Sequence, residues 1–290
     1  MSKDGDHHYV PQFHLRRWAD TAGYVTQWGR IKHNGKLTRK GVAPAATGYV
    51  PGLYALEHVP ADKVHLVEER VFGFVDDKAA PILEKMVVRG AKSLSIEERY
   101  WWAIYLNAAL LRVPHVVASI SKRIEEMQQK ILSEPDADFD AAKGSAPERN
   151  LLEWARNHAP SALANSGMET LSKMIGESRP IERLLSFWWT VRDVSNSSRP
   201  LMLGDDPLER IGDLYRPKCL INLPISPGHA FFATNARSIA ENIAKMPDRR
   251  VVDATNISTI STAKKFVYGD AEPSFVDRYL TRTESSSHLV

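Results

Sequence analysis

The sequence predicts an α+β protein, with a predominantly helical middle and a small antiparallel sheet that gathers strands from the N-terminal and C-terminal regions. Three observations lead there. Residues 61–178 carry apolar positions at helical spacing, residues 185–270 carry short aromatic and β-branched runs separated by turn residues, and Asn34-Gly35 gives a hairpin signal near the start. The 290 residues are 43% hydrophobic and 25% charged, a balance that excludes a disordered or fibrous chain and is enough to bury a core. One compact domain over residues 1–290 is expected, with sub-regions at 7–56, 61–178 and 185–270.

Pro11 keeps the residue before it out of the helical region, so residues 7–10 read as extended and a short helix follows through Phe13 and Trp18. Residues 24–28 and 36–38 flank the Asn-Gly pair, whose tolerance of positive φ predicts a tight hairpin. Asp62 is spaced to cap a helix with the apolar stripe Val64, Val67, Val71, Phe74, Val75 and Ile82, in which Pro81 marks a kink or break. On it Glu69 and Asp76 are two turns apart and share a face, about 10 Å from each other. Ser95 and Glu98 form a capping box that opens the next helix. Its uncharged run, residues 100–111, falls short of the roughly 18–20 residues of a membrane span and reads as a buried core helix. Arg112 closes that run and needs a carboxylate, a carbonyl or a bound anion, and Pro114 kinks the axis beside it.

Asp136, Asp138 and Asp140 alternate like a calcium loop. Ala141 stands where that loop needs glycine and Pro147 where it needs a bidentate glutamate, so residues 134–149 read instead as a mobile acidic loop. Helical spacing returns at 151–156 and 168–175, and Arg179-Pro180 marks a boundary. Strands are expected at 187–191, 201–203, 219–223, 229–233 and 265–268, with two helices before the last.

The net charge of +3 is too mild to imply nucleic acid by itself. Its placement says more, because residues 21–56 hold five basic side chains and no acidic one. Arg30, Lys32 and Lys36 on the hairpin read either as a solvated surface or as a contact for nucleic acid or another anionic partner. The single cysteine, Cys219, excludes an intramolecular disulfide framework and multi-cysteine zinc sites. No apolar stretch of secretory length stands at the start, so a cytoplasmic protein without a membrane segment is expected. The phosphate loops Gly-x-x-x-x-Gly-Lys-Ser/Thr and Gly-x-Gly-x-x-Gly are both missing, as is the Gly-x-Ser-x-Gly elbow around Ser226.

These landmarks together resemble the domain of unknown function 4238 family. Its opening His-His-x-x-Pro-x-Phe-x-Leu is similar to His7-His8-Tyr9-Val10-Pro11-Gln12-Phe13-His14-Leu15. Its spaced acids before paired alanines resemble Glu69, Asp76, Ala79 and Ala80, and its Arg-x-Pro resembles Arg112-Val113-Pro114. Its Ser-Asp-Asn-Pro-Val is represented by Gly204-Asp205-Asp206-Pro207-Leu208, its Pro-Leu-Ser-Pro by Pro224-Ile225-Ser226-Pro227, and the asparagine of its C-terminal helix by Asn256. The resemblance implies no activity. From residue types alone, His7, His8, Asp205 and Asp206 supply nitrogen and oxygen ligands without sulfur, which suits a divalent zinc, manganese or magnesium ion. A metal-dependent hydrolase is expected on that basis, phosphodiesterase-like or nuclease-like, with His7, His8 and Asp205 at the reacting centre and Arg112 or the hairpin cations holding an anionic substrate. The same residues equally suit a structural network in a non-catalytic module that binds nucleic acid or protein.

Overall fold

The computed structural model describes residues 5–280. The chain opens with β1 (Asp6–His8), and Pro11, with its fixed φ and missing N–H, leads into α1 (Gln12–Leu15) and a 3-10 turn at Arg16–Trp18. β2 (Val25–Arg30) and β3 (Leu37–Val42) form the expected hairpin. Its connection is wider than a two-residue turn: Gly35 takes a positive φ of 67°, and Asn34 instead accepts the Lys36 N–H on its side-chain oxygen (3.0 Å). β4 (Tyr49–Pro51) returns to pair antiparallel with β1, setting His7 opposite Val50 and His8 opposite Tyr49.

Asp62 lies in a 3-10 turn, Ala61–Lys63, and caps no helix. A π-helical turn, Glu68–Gly73, runs straight into α2 (Phe74–Arg89), which continues unbroken through Pro81. Pro81 and Asp77, whose carbonyl loses its partner there, are both exposed, so water satisfies the freed oxygen. α3 (Ile96–Leu111) carries the predicted capping box, with Glu98 N–H on Ser95 Oγ (3.1 Å) and Ser95 N–H on Glu98 Oε2 (2.7 Å). α4 (Pro114–Ser133) starts with proline at a position that needs no N–H, and the axes of α3 and α4 bend by 76° where the kink was expected. The segment expected to be a mobile acidic loop folds into α5 (Ala137–Ala142), because Asp136 accepts the N–H groups of Asp138 and Phe139 at its start. α6 (Leu151–His158), α7 (Pro160–Ile175) and α8 (Ser178–Leu185) follow; Pro180 sits in the first turn of α8, where it breaks nothing.

The strand-rich region comprises β5 (Trp188–Asp193), β6 (Leu203–Gly204), β7 (Glu209–Ile211), β8 (Leu220–Ser226) and β9 (His229–Thr234), then α9 (Arg237–Lys245), α10 (Asp248–Thr262), β10 (Phe266–Tyr268) and α11 (Pro273–Tyr279). One sheet, ordered β3-β2-β10-β6, gathers strands from both ends of the chain as expected. A second, β5-β9-β8-β7, belongs wholly to the later region, and every pairing is antiparallel. Alternation along β9 sends Phe231 and Ala233 to the core formed with α2 and α3, and Ala230 and Phe232 to a second core under α9 and α10. Truncating Phe231, which is fully buried against Trp102 and Trp189, would cost about 3–5 kcal/mol. No single helix among the described residues is long and apolar enough to cross a membrane.

Candidate functional site

β1 delivers His7 and His8 side by side with their rings on opposite sides of the strand. His7 is only 2% exposed. A backbone N–H can only donate, so the bond from Tyr54 N to His7 Nδ1 (2.8 Å) leaves the proton of the neutral ring on Nε2, which donates to His65 Nδ1 (2.8 Å). Both nitrogens are committed. Burial, with the neighbouring His65, pushes this imidazole down to about 4. His8 is held through its backbone: its N–H donates to Glu68 Oε1 (3.1 Å) and its carbonyl accepts from Arg112 Nη2 (2.6 Å).

Arg112, the residue that ends α3, is 1% exposed. It reaches Asp76 through two bonds of 2.7 and 3.2 Å and lies over the Phe72 ring at 4.7 Å. The requirement read from the sequence is met by a carboxylate and a carbonyl together. Burial opposes the guanidinium charge, but the Asp76 carboxylate holds it above its ordinary range. Glu68, not Glu69, joins this knot. An α-helix would bring 69 and 76 onto one face, but the π turn closes i→i+5 bonds and takes up one extra residue, so Glu68 turns inward and Glu69 faces solvent. Burial pushes the Glu68 carboxyl up to about 7, against the pull of Arg112. Glu68 escapes a reading by helical period because a π turn leaves no mark in the apolar pattern, and Tyr54 and His65 lie in turns outside any periodic segment.

The acidic turn after β6 splits into two environments. Asp205 is 3% exposed; its Oδ1 accepts Lys264 N–H (2.7 Å), its Oδ2 accepts Lys265 N–H (2.8 Å), and its own N–H donates to Phe266 O (2.9 Å). It therefore ties the turn between α10 and β10 to the end of β6. Burial pushes its carboxyl up to about 6, against these N–H groups. The N-terminal motif does approach the acidic turn, but through Tyr9: burial, and then the charges of Asp205 and Asp206, raise that phenol. Among the described residues no three His, Cys, Asp or Glu side chains are grouped as a metal ion needs. His7, His8, Asp205 and Asp206 engage separate partners and do not form the common centre expected from their residue types.

Asp206 turns away from Asp205. Its side chain is 21% exposed, and it accepts no hydrogen bond among the described residues. Its carboxylate stands 3.9 Å from Nε2 of His115, the second residue of α4, whose N-terminal dipole favours a negative charge there. Burial raises the Asp206 carboxyl, while His115 and Lys264 pull it back. Both side chains line a cleft of about 650 Å³ between the α3–α4 junction and the loop that follows Asp206. Leu110, Leu111, Val116 and Leu208 form apolar walls, and Asn107 and Arg210 add polar groups. His115 follows directly on Arg112-Val113-Pro114, so the cleft joins two of the motifs legible in the sequence; what the sequence lacks is any sign that these distant segments meet.

The hairpin cations divide. Arg30 donates to Asp277 Oδ1 (2.7 Å), to the carbonyls of Asp277 (2.7 Å) and Leu280 (3.0 Å), and to Gly35 O (2.9 Å), so it fastens the hairpin to α11 and is not free for an external anion. Lys32 and Lys36 are exposed and make no ion pair among the described residues. Ser226 Oγ lies 2.9 Å from His229 Nδ1, with His229 Nε2 3.7 Å from Asp193, but the hydroxyl is 4% exposed and accepts Gly228 N–H (3.3 Å), which makes it a clamp on the β8–β9 turn. Asn256 accepts Met202 N–H (2.8 Å) and donates to Pro200 O (2.9 Å), fixing the approach to β6, and Phe13 packs on Tyr105 at 5.6 Å. Pro207 is buried beside Asp206, and burial raises the Cys219 thiol.

The family described as "Protein of unknown function (DUF4238)" matches residues 6–272. No curated protein and no solved structure matches the chain.

Proposed function

The chain belongs to the DUF4238 family, whose description names no activity, and from the site itself we propose a hydrolase that acts on a small molecule in the cleft, with His115 and Asp206 as its proton-transfer pair. The reading rests on Asp206. Buried carboxylates are ordinarily hydrogen-bonded, as Asp205 and Asp76 are, because an unpartnered one is costly. Asp206 is 21% exposed, has no hydrogen bond among the described residues, and opens onto a cleft with an imidazole 3.9 Å away. A carboxylate kept in that state fits a chemical role better than a structural one.

In the proposed reaction His115, in its neutral form, takes a proton from water as the water oxygen bonds to the electrophilic centre. Asp206 stabilises the imidazolium, and the proton passes to the leaving group as its bond breaks. Arg210 supplies positive charge for the developing oxyanion. A reducing, cytoplasmic setting fits the single buried thiol.

The test is a screen of small esters, amides and phosphoesters with wild-type protein and Asp206→Asn. Hydrolysis of at least one class, falling about 100-fold or more in the variant, is expected. No turnover of any class, or turnover indifferent to the substitution, contradicts the proposal. A second reading is supported by Lys32 and Lys36, exposed cations without ion pairs among the described residues, which suit a nucleic acid or other anionic partner.

A further inference from the structure

We infer that β3 is a docking edge for an acidic peptide, which it takes up in extended form as a fifth strand of the β3-β2-β10-β6 sheet. This deepens the second reading, an anionic partner at the hairpin, and rests on it. β3 is the end strand of its sheet, and among the described residues no element but β2 packs extensively on it. Arg39, Lys40 and Gly41 are exposed, and no proline interrupts the strand.

The direction of its backbone groups is fixed by two bonds. Ile31 N–H donates to Lys36 O (3.0 Å), and Gly269 N–H donates to Thr26 O (2.9 Å), which turns Thr26 toward β10. Bonded and non-bonded pairs alternate along an antiparallel ladder, so Val25, Gln27 and Gly29 face β3 and are met by Val42, Lys40 and Thr38. Leu37, Arg39 and Gly41 therefore point their N–H and C=O groups away from β2, and those groups have no hydrogen-bond partner among the described residues. A row that alternates donors and acceptors suits another strand, which offers both in return. A nucleic-acid backbone offers phosphate oxygens, which the outward carbonyls repel.

Charge then selects among strands. Lys36, Thr38 and Lys40 lie on one side of the sheet, and Leu37, Arg39 and Gly41 on the other. Lys36 and Lys40 are exposed and make no ion pair among the described residues, whereas Arg39 is already paired with Asp270 (2.8 Å). Pairing of β3 with β3 of a second copy would set a basic edge against itself, while carboxylates opposite Lys36 and Lys40 offset both charges.

Fluorescence anisotropy with the full chain compares four labelled probes. They are the peptide Glu-Val-Glu-Val-Glu-Val-Glu, the same peptide methylated on the backbone nitrogens of its valines, a version with Gln for every Glu, and a single-stranded oligothymidylate. The valines are the residues that lie opposite Leu37, Arg39 and Gly41, so methylation blocks their N–H groups and leaves the charge unchanged. The parent peptide is expected to bind at least tenfold tighter than the other three, and Lys36→Glu with Lys40→Glu to weaken it at least tenfold at unchanged thermal stability. Equal affinity for the methylated peptide overturns strand addition alone and leaves an anionic contact at the hairpin. Equal affinity for the Gln peptide, or binding of the parent that survives the lysine reversal, overturns the acidic assignment. The oligothymidylate binding as tightly as the parent replaces the peptide by nucleic acid, and binding of none of the four overturns the inference together with the hairpin reading.

Discussion

The guanidinium of Arg112 holds both carboxylate oxygens of Asp76, at 2.7 and 3.2 Å, while one of its nitrogens also reaches the carbonyl of His8 at 2.6 Å. Three segments far apart in the chain, β1, α2 and the end of α3, are thereby locked at one buried point. Replacing Arg112 by Met leaves Asp76 without its counter-charge and should destabilise the protein by about 3–5 kcal/mol. Adding Asp76→Asn to that variant should recover part of the loss. Denaturant unfolding of the single and double variants checks this; an Arg112→Met protein within 1 kcal/mol of wild type by order of magnitude would count against a structural knot.

Adjacent aspartates should behave oppositely. Asp205→Asn keeps one acceptor for Lys264 or Lys265 and turns an amide donor toward the other N–H, which should cost about 2 kcal/mol. Asp206→Asn removes a poorly solvated charge that has no hydrogen bond among the described residues, so stability should hold or rise. Thermal unfolding of the two variants side by side decides; equal destabilisation would mean that Asp206 is a structural residue after all.

Stability should depend on pH through two opposed groups of side chains. His7 and the fully buried His14, which donates to Pro224 O (2.7 Å) and lies 3.0 Å from the Tyr105 hydroxyl, are both pushed by burial to about 4 from an ordinary 6.5. In this window the unfolded chain binds protons that the folded one refuses, so stability present above pH 6.5 is lost as pH falls toward 4. Glu68 has the opposite sign. Its folded value of about 7 exceeds the ordinary 4.5, so its contribution is fully present below 4.5 and lost as pH rises to 7. Glu68→Gln should therefore be more stable than wild type by about 2 kcal/mol above pH 7, with the gap closing toward pH 4.5. A gap that does not change with pH would show that Glu68 ionises freely in the folded protein.

The hairpin offers a contrast between a committed cation and two that make no ion pair among the described residues. Lys32→Glu with Lys36→Glu should leave stability within about 0.5 kcal/mol, whereas Arg30→Ala loses four hydrogen bonds and should cost about 1–3 kcal/mol. If the hairpin meets a nucleic acid, the lysine reversal also lowers affinity for single- or double-stranded probes and flattens the dependence on salt. Affinity unchanged by the reversal removes the hairpin from any such contact.

Much of this was legible from local chemistry. Pro11 before α1, the Ser95–Glu98 box, the polar break at Arg112 to Pro114 and the apolar runs of β8 and β9 with turn residues between them are short-range signals. Arg112 announced its need for a partner through the apolar run before it. The carboxylate beside it that holds the His8 N–H was harder to find, since Glu68 turns inward only because of a π turn, and a one-residue excess in a helix leaves the apolar pattern intact. The acidic loop became α5 because one aspartate caps it, a competition between solvation and capping that composition does not decide. The cleft was least legible: His115 and Asp206 meet through a 76° bend between two helices, and nothing in the spacing of either segment encodes that angle.

The central claim is that His115 moves a proton for a reaction in the cleft. The most direct measurement is kcat/KM of His115→Gln against wild type on the best substrate of the screen, with unfolding followed in parallel. A loss of about 100-fold or more at unchanged thermal stability is the predicted result, and a variant as fast as wild type would contradict it.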